Sequence, residues 1–268
     1  MSLLRITNLS VEINHKPLLQ PLSLTVTAGE VVSIIGPNGA GKTTFLRAIS
    51  GDIAATSGSV YLEQTPLQQI APRTRARQMA VLSQHNALEF AFTGFEVVAM
   101  SRSPHSTGSV LDLEICHAAM AAMDVTHLAE RLYPTLSGGE QQRLHLARVL
   151  AQIWREEDAG QRLLLLDEPV TSLDLGHQHQ LMAAIRRFAA TGVSVLMTVH
   201  DITLAAAYSD RILVLNNGHN VACGAPQMVL TQALVEEVFA MPVYILPHPQ
   251  TGAPIVVGKT ASEEPPCD

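Results

Sequence analysis

The chain is short of cysteine, aromatic residues and positive charge, and each shortage closes off a class of function. Cys116, Cys223 and Cys267 are its only thiols and lie far apart without a Cys-x-x-Cys pair. Neither a disulfide framework nor a zinc knuckle is expected, and reduced thiols fit a cytoplasmic setting. Phe, Tyr and Trp supply only 4% of the residues, which argues against a base-stacking surface. Lys and Arg number 17 against 24 Asp and Glu, and the resulting formal charge of −7 provides no footprint for a nucleic acid partner or an anionic membrane surface. No apolar run approaches the ~18 residues of a membrane span. The opening Met1-Ser2-Leu3-Leu4-Arg5-Ile6 lacks a signal-peptide core, so any membrane role is expected to need other subunits.

Apolar content is plentiful. At 268 residues and 47% hydrophobic, the chain can bury a large core as one α/β domain or two closely joined lobes. Residues 22 to 27 and the Val60–Leu62 stretch alternate apolar and polar, as half-buried antiparallel strands do. From about Ala87 to residue 160 the pattern changes to Ala, Met, Leu and Glu at helical spacing, which predicts a helical lobe inserted between the β-rich opening and the strand that begins at Arg162. Arg162–Asp167 and Val193–Val199 read as buried strands around a helix near Gln178 to Ala190, an order that implies parallel pairing. Arg211–Leu215 and Val221 flank Asn217-Gly218, a hairpin signal, and residues 259–268 read as a loose polar tail after a single domain over 1–258.

Between Gly36 and Thr43 the chain reads Gly-Pro-Asn-Gly-Ala-Gly-Lys-Thr, after a strand-like Val31–Ile35 and before a helix opened by Thr43 and Thr44. Glycines let successive N–H groups of Asn38, Gly39, Ala40 and Gly41 point into one concavity. The helix start adds a partial positive charge and Lys42 a whole one, so phosphates sit there, and Thr43 is placed to give its hydroxyl to Mg²⁺. Asp167 and Glu168 end the leucine-rich strand, where parallel sheets place ligands. Asp167 can organise the metal and Glu168 can polarise an attacking water, although a helix-capping or solvated pair would look the same in isolation. His200 closes the next strand and can reach a terminal phosphate or Glu168; a strand-end histidine also serves as an ordinary structural residue. Ser137 is placed to cap a second helix behind Gly138-Gly139, which makes another anion cradle unless it is only an N-cap. One nucleotide does not need two cradles from one chain, so the second is expected to close on a nucleotide held by a neighbouring copy.

Taken together, these runs resemble the ATP-binding subunits of ABC transporters over roughly Leu3 to Val257. Gly36–Thr44 is similar to the Walker A loop, Gln84 to the Q-loop glutamine, Leu136–Gln142 to the signature, Leu163–Glu168 to Walker B, Ser172-Leu173-Asp174 to the D-loop and His200 to the switch histidine. The resemblance implies a P-loop NTPase with a RecA-like core, an antiparallel β lobe and a helical lobe, using ATP and Mg²⁺. It implies metal contacts from Thr43, Gln84 and Asp167. It further implies a homodimer with two ATP molecules between the P-loop of one copy and the signature and Asp174 of the other. That dimer would dock peripherally on two membrane-spanning permease subunits at the cytoplasmic face of the inner membrane, served indirectly by a periplasmic substrate-binding protein. Many relatives stack adenine on an aromatic residue where this chain has only Val11–Lys16, so Ile13 and His15 stay outside the expected site. Ser101-Arg102-Ser103-Pro104-His105 resembles the Gly-Arg-x-Pro-His run of importers for iron-siderophores, corrinoids and haem. The segment Gln152–Gln161 is most similar to haemin-importer ATPases, with the corrinoid-importer ATPase as the nearest competitor. A soluble non-transport ABC ATPase and a small-molecule P-loop kinase are the rival readings. His177 and His179 lie two apart, which on a helix points them away from each other rather than at one ion.

Overall fold

A strand that is buried at every position must have both of its faces covered, and three such strands, Val31–Ile35, Arg162–Asp167 and Val193–Thr198, form the centre of the computed structural model, which describes residues 2–259 except 85–87 and 89. The six-stranded sheet runs in the order His219–Gly224, Arg211–Asn216, Val31–Ile35, Val193–Thr198, Arg162–Asp167, Met79–Leu82. The last five are mutually parallel, and His219–Gly224 pairs antiparallel with Arg211–Asn216 across the Asn217-Gly218 turn. Alternate side chains of each central strand feed two cores. Leu164, Leu166, Val195 and Met197 face one, while Leu163, Leu165 and Leu196 face the other.

The second core is closed by a four-stranded sheet containing Ser2–Ile13, Lys16–Thr27, Ser57–Leu62 and Thr65–Pro66, antiparallel throughout. Leu22, Leu24 and Val26 point inward from it and the intervening residues outward, as the alternation requires. Helix Lys42–Ser50 lies in this core through Phe45, Leu46 and Ile49. Phe45 is fully buried, a position where truncation to Ala costs about 3–5 kcal/mol.

The first core takes in the helical insertion. Its helices are Gly94–Ala99, Ser109–Ala122, Gly138–Gln152 and the short Glu156–Ala159. Met120 and Met123 are core residues. Helix Leu175–Ala189 starts earlier than the apolar pattern indicates, because Asp174 accepts from the His177 N–H at 2.9 Å and caps it. Cys223 is an exposed residue of strand His219–Gly224. One expectation is corrected. Lys259, placed at the start of the loose tail, is held by its N–H on the Pro242 carbonyl and its ammonium on Glu236. The rest of that tail, residues 260–268 with Cys267, and the expected lobe start at Ala87 lie outside the described residues.

Candidate active site

The loop between strand Val31–Ile35 and helix Lys42–Ser50 is shaped by glycines that nothing larger can replace. A Cβ on Gly36 would strike the Leu215 carbonyl, and one on Gly41, at φ 98°, would lie 2.9 Å from the Leu18 carbonyl. Gly41 is also the helix N-cap and offers no side-chain acceptor, so the first-turn N–H groups are left uncapped. A cavity of about 540 Å³ opens over this loop. Asn38, Gly39, Ala40, Gly41, Lys42, Thr43, Thr44, Glu168 and His200 all line it, so nine of the expected residues meet in one place. Lys42 is only 7% exposed, and its ammonium donates to the carbonyls of Gly36 at 2.7 Å and Pro37 at 3.0 Å. Burial pulls its pKa down, opposed by the charges of Glu168 and Asp167.

At the end of strand Arg162–Asp167 the two carboxylates face different partners. Asp167 accepts at Oδ1 from the hydroxyls of Thr43 at 3.2 Å and Thr198 at 2.7 Å. Glu168 accepts at Oε1 from His200 Nε2 at 2.5 Å, and at Oε2 from Gln84 Nε2 at 2.9 Å and the Thr171 hydroxyl at 3.2 Å. Its backbone is left-handed at φ 53°, which costs a non-glycine residue about 1–2 kcal/mol. Thr43, Gln84 and Asp167 also line a second cavity of about 410 Å³ beside the first, which Thr43 borders on both sides. Two hydroxyl and carboxylate oxygens 3.2 Å apart make a donor pair suited to a hard cation such as Mg²⁺. Among the described residues no group of three or more His, Cys, Asp or Glu could hold a metal unaided. Such an ion would therefore be shared with substrate phosphates.

Four expected residues are not in either cavity. Ser137 caps helix Gly138–Gln152 in a capping box: Glu140 Oε2 accepts from the Ser137 N–H at 2.7 Å, and the Ser137 hydroxyl accepts from the Glu140 N–H at 3.4 Å. Gly138 has no neighbour within 4 Å of where a Cβ would stand. Gly139 faces Leu173, and Asp174 caps its own helix and accepts from His177 Nδ1 at 2.8 Å. His179 Nδ1 instead meets the Tyr208 hydroxyl at 3.0 Å, so the two histidines diverge.

Sequence reasoning missed Thr198, which is fully buried yet bridges the two carboxylates: it donates to Asp167 and accepts from the Glu168 N–H at 2.8 Å. The available signal was a hydroxyl at the carboxyl end of a largely apolar strand. It also missed Lys16, Pro17, Leu18 and Asn217, which border the P-loop cavity through contacts distant in sequence. Ile13 and His15, left outside the expected site, do not line it.

The family model described as "ABC transporter" matches residues 19–171. A "Hemin import ATP-binding protein HmuV" from Gloeobacter violaceus is 46% identical, covering 95% of this chain and 94% of the relative. The protein of the same name from Myxococcus xanthus is 49% identical over 89% of this chain and 90% of its own length. The one from Pseudomonas fluorescens Pf-5 is 45% identical over 96% of this chain and its own full length. Among solved structures, an inward-facing metal-chelate type ABC transporter superposes with a TM-score of 0.81 at 24% identity, covering 98% of this chain and 99% of that one. An ATP-binding cassette in its ADP conformation gives 0.78 at 23% identity, covering 90% and 99%; both likenesses speak to the fold. Close to half of the residues are shared with full-length relatives, and the family match runs from the antiparallel sheet past the strand-end carboxylates: the chain belongs to the ABC transporter family, among its ATP-binding subunits.

Proposed function

We propose that this chain is the ATP-hydrolysing motor of a bacterial haemin importer, acting as a homodimer under two membrane-spanning permease subunits on the cytoplasmic face of the inner membrane. A periplasmic binding protein delivers the cargo, and no nucleic acid is involved. Residues 1–258 act as one ATP-binding domain. The observation that carries the hydrolytic part is the position of Glu168 on the P-loop cavity, gripped by His200 on one oxygen and Gln84 on the other. The haemin part is supported by the names of relatives near 45–49% identity.

The triphosphate lies against the glycine loop, where the N–H groups of Asn38 to Thr44 and the Lys42 ammonium offset its charge. Thr43, Gln84 and Asp167 would hold Mg²⁺, which when bound would supply positive charge to offset the negative charge of the phosphates. Glu168 accepts the proton of the attacking water, and His200 orients the Glu168 carboxylate through Oε1. Ser137, Gly138, Gly139 and Asp174 complete the site from the second copy, since they lie off the cavity of their own chain. In a family of transport motors this closure is the mechanical step.

Reconstitution with the permease pair and binding protein in vesicles tests the reading. ATP-dependent uptake of haemin is expected, without comparable uptake of cobalamin or a ferric siderophore. Glu168→Gln should abolish uptake and lower phosphate release about 10²–10⁴-fold while ATP binding persists. Preference for cobalamin or a siderophore would transfer the motor to that cargo. Free hydrolysis by Glu168→Gln would remove Glu168 from the chemistry.

A further inference from the structure

We infer that Thr198 is a positioning residue for ATP hydrolysis: one buried hydroxyl sets both Asp167 and Glu168. The inference rests on the function proposed above and adds a residue that none of the sequence motifs contains. Thr198 ends strand Val193–Thr198 and pairs in register with Asp167 on the neighbouring strand. It is 0% exposed, so water cannot stand in for its bonds.

A threonine hydroxyl has one proton to give. It goes to Asp167 Oδ1 at 2.7 Å, because an ionised carboxylate can only accept, and the oxygen's lone pair then takes the Glu168 N–H at 2.8 Å. The direction of the relay is therefore fixed from Glu168 amide to Thr198 to Asp167. On the Asp167 side, a second hydroxyl from Thr43 reaches the same Oδ1, so two donors from different elements fix the rotation of that carboxylate. On the Glu168 side, the bond holds the amide of a residue whose φ of 53° is left-handed and which would relax without a hold. The Glu168 side chain is then gripped by His200, two residues after Thr198. Backbone and carboxylate of Glu168 thus both hang from the stretch 198–200. Whatever moves that strand end shifts the carboxylate that faces the water and the one paired with Thr43 together.

Thr198→Val keeps the β-branched shape and deletes only the hydroxyl, while Thr198→Ser keeps the hydroxyl. With the full chain, steady-state phosphate release and binding of a fluorescent ATP analogue are compared for wild type, both variants and Glu168→Gln. Thr198→Val is expected to lose about 10–100-fold in kcat, the scale of a misplaced catalytic group, with nucleotide affinity within about threefold. Thr198→Ser should recover most of kcat. A kcat within about twofold of wild type for Thr198→Val overturns the inference, as does a parallel loss of affinity or a serine variant as impaired as the valine one. Should the valine chain fail to fold, Thr198→Ala is judged by the same split. Failure of the proposed function reads differently: wild type would not hydrolyse ATP, or Glu168→Gln would turn over freely.

Discussion

Residue by residue, burial decides what the ionisable groups can do. Lys42 keeps its ammonium inside the loop by spending its protons on two carbonyls, and two carboxylates nearby offset part of the burial that lowers its pKa. Cys116 is helped only by the charge of Arg102, which Asp112 opposes. Buried in the helical lobe, its thiol is pushed up from 9.0 to about 11, mainly by loss of solvent. Near neutral pH a maleimide should therefore modify exposed Cys223 in the native chain and reach Cys116 only after unfolding, read by peptide mass spectrometry. The linkage has a definite sign: above 9.0 the unfolded chain ionises Cys116 while the folded one resists until about 11, so stability falls as pH rises through that window. Cys116→Ala should flatten this alkaline slope in melting temperature.

Element by element, the described residues of the helical lobe carry two capping boxes, and their likeness permits a controlled comparison. Thr93 and Glu96 open helix Gly94–Ala99 just as Ser137 and Glu140 open Gly138–Gln152. Replacing either Thr93 or Ser137 by Ala should cost about 1 kcal/mol of stability. Only Ser137→Ala should also slow ATP turnover, because only that helix end is assigned to a nucleotide; equal rates in the two variants would reduce Ser137 to a structural cap. Much of this was legible in the sequence. The leucine run of Arg162–Asp167 and the largely apolar Val193–Thr198 announced those strands, and the glycine spacing announced the loop. The start of helix Leu175–Ala189 was not, since Gly176 weakens helical propensity and the cap by Asp174 is visible only in geometry. Thr198 escaped for a related reason: its value comes from register with Asp167, 31 residues away. The function of the Arg102–His105 run was equally hidden. Arg102 donates to the carbonyl of Ala151 and His105 to that of Gln152, while Arg162 reaches those of Ile153 and Trp154. Three side chains from outside the helix thus satisfy four successive carbonyls at and just past the end of helix Gly138–Gln152, where a helix runs out of its own donors.

At the scale of the whole molecule, that helix is tied at both ends, and the inserted segment is tied with it: Arg102 also pairs with Asp112 and with Asp158 of the insertion. The Trp154 ring lies 5.5 Å from Phe188, joining the insertion to helix Leu175–Ala189. The helical lobe is thereby coupled to the sheet that carries Asp167 and Thr198. Its serine-capped end nevertheless stays off the cavity that holds Lys42.

In the proposed dimer, that separation divides each polypeptide between two pockets, its loop serving one and its cap the other. A Lys42→Ala chain is damaged only in its loop and a Ser137→Arg chain only in its cap. Each alone should be inert. Mixed in equal amounts, they should form hybrid pairs in which one of the two pockets inherits no damage, and part of the lost turnover should return.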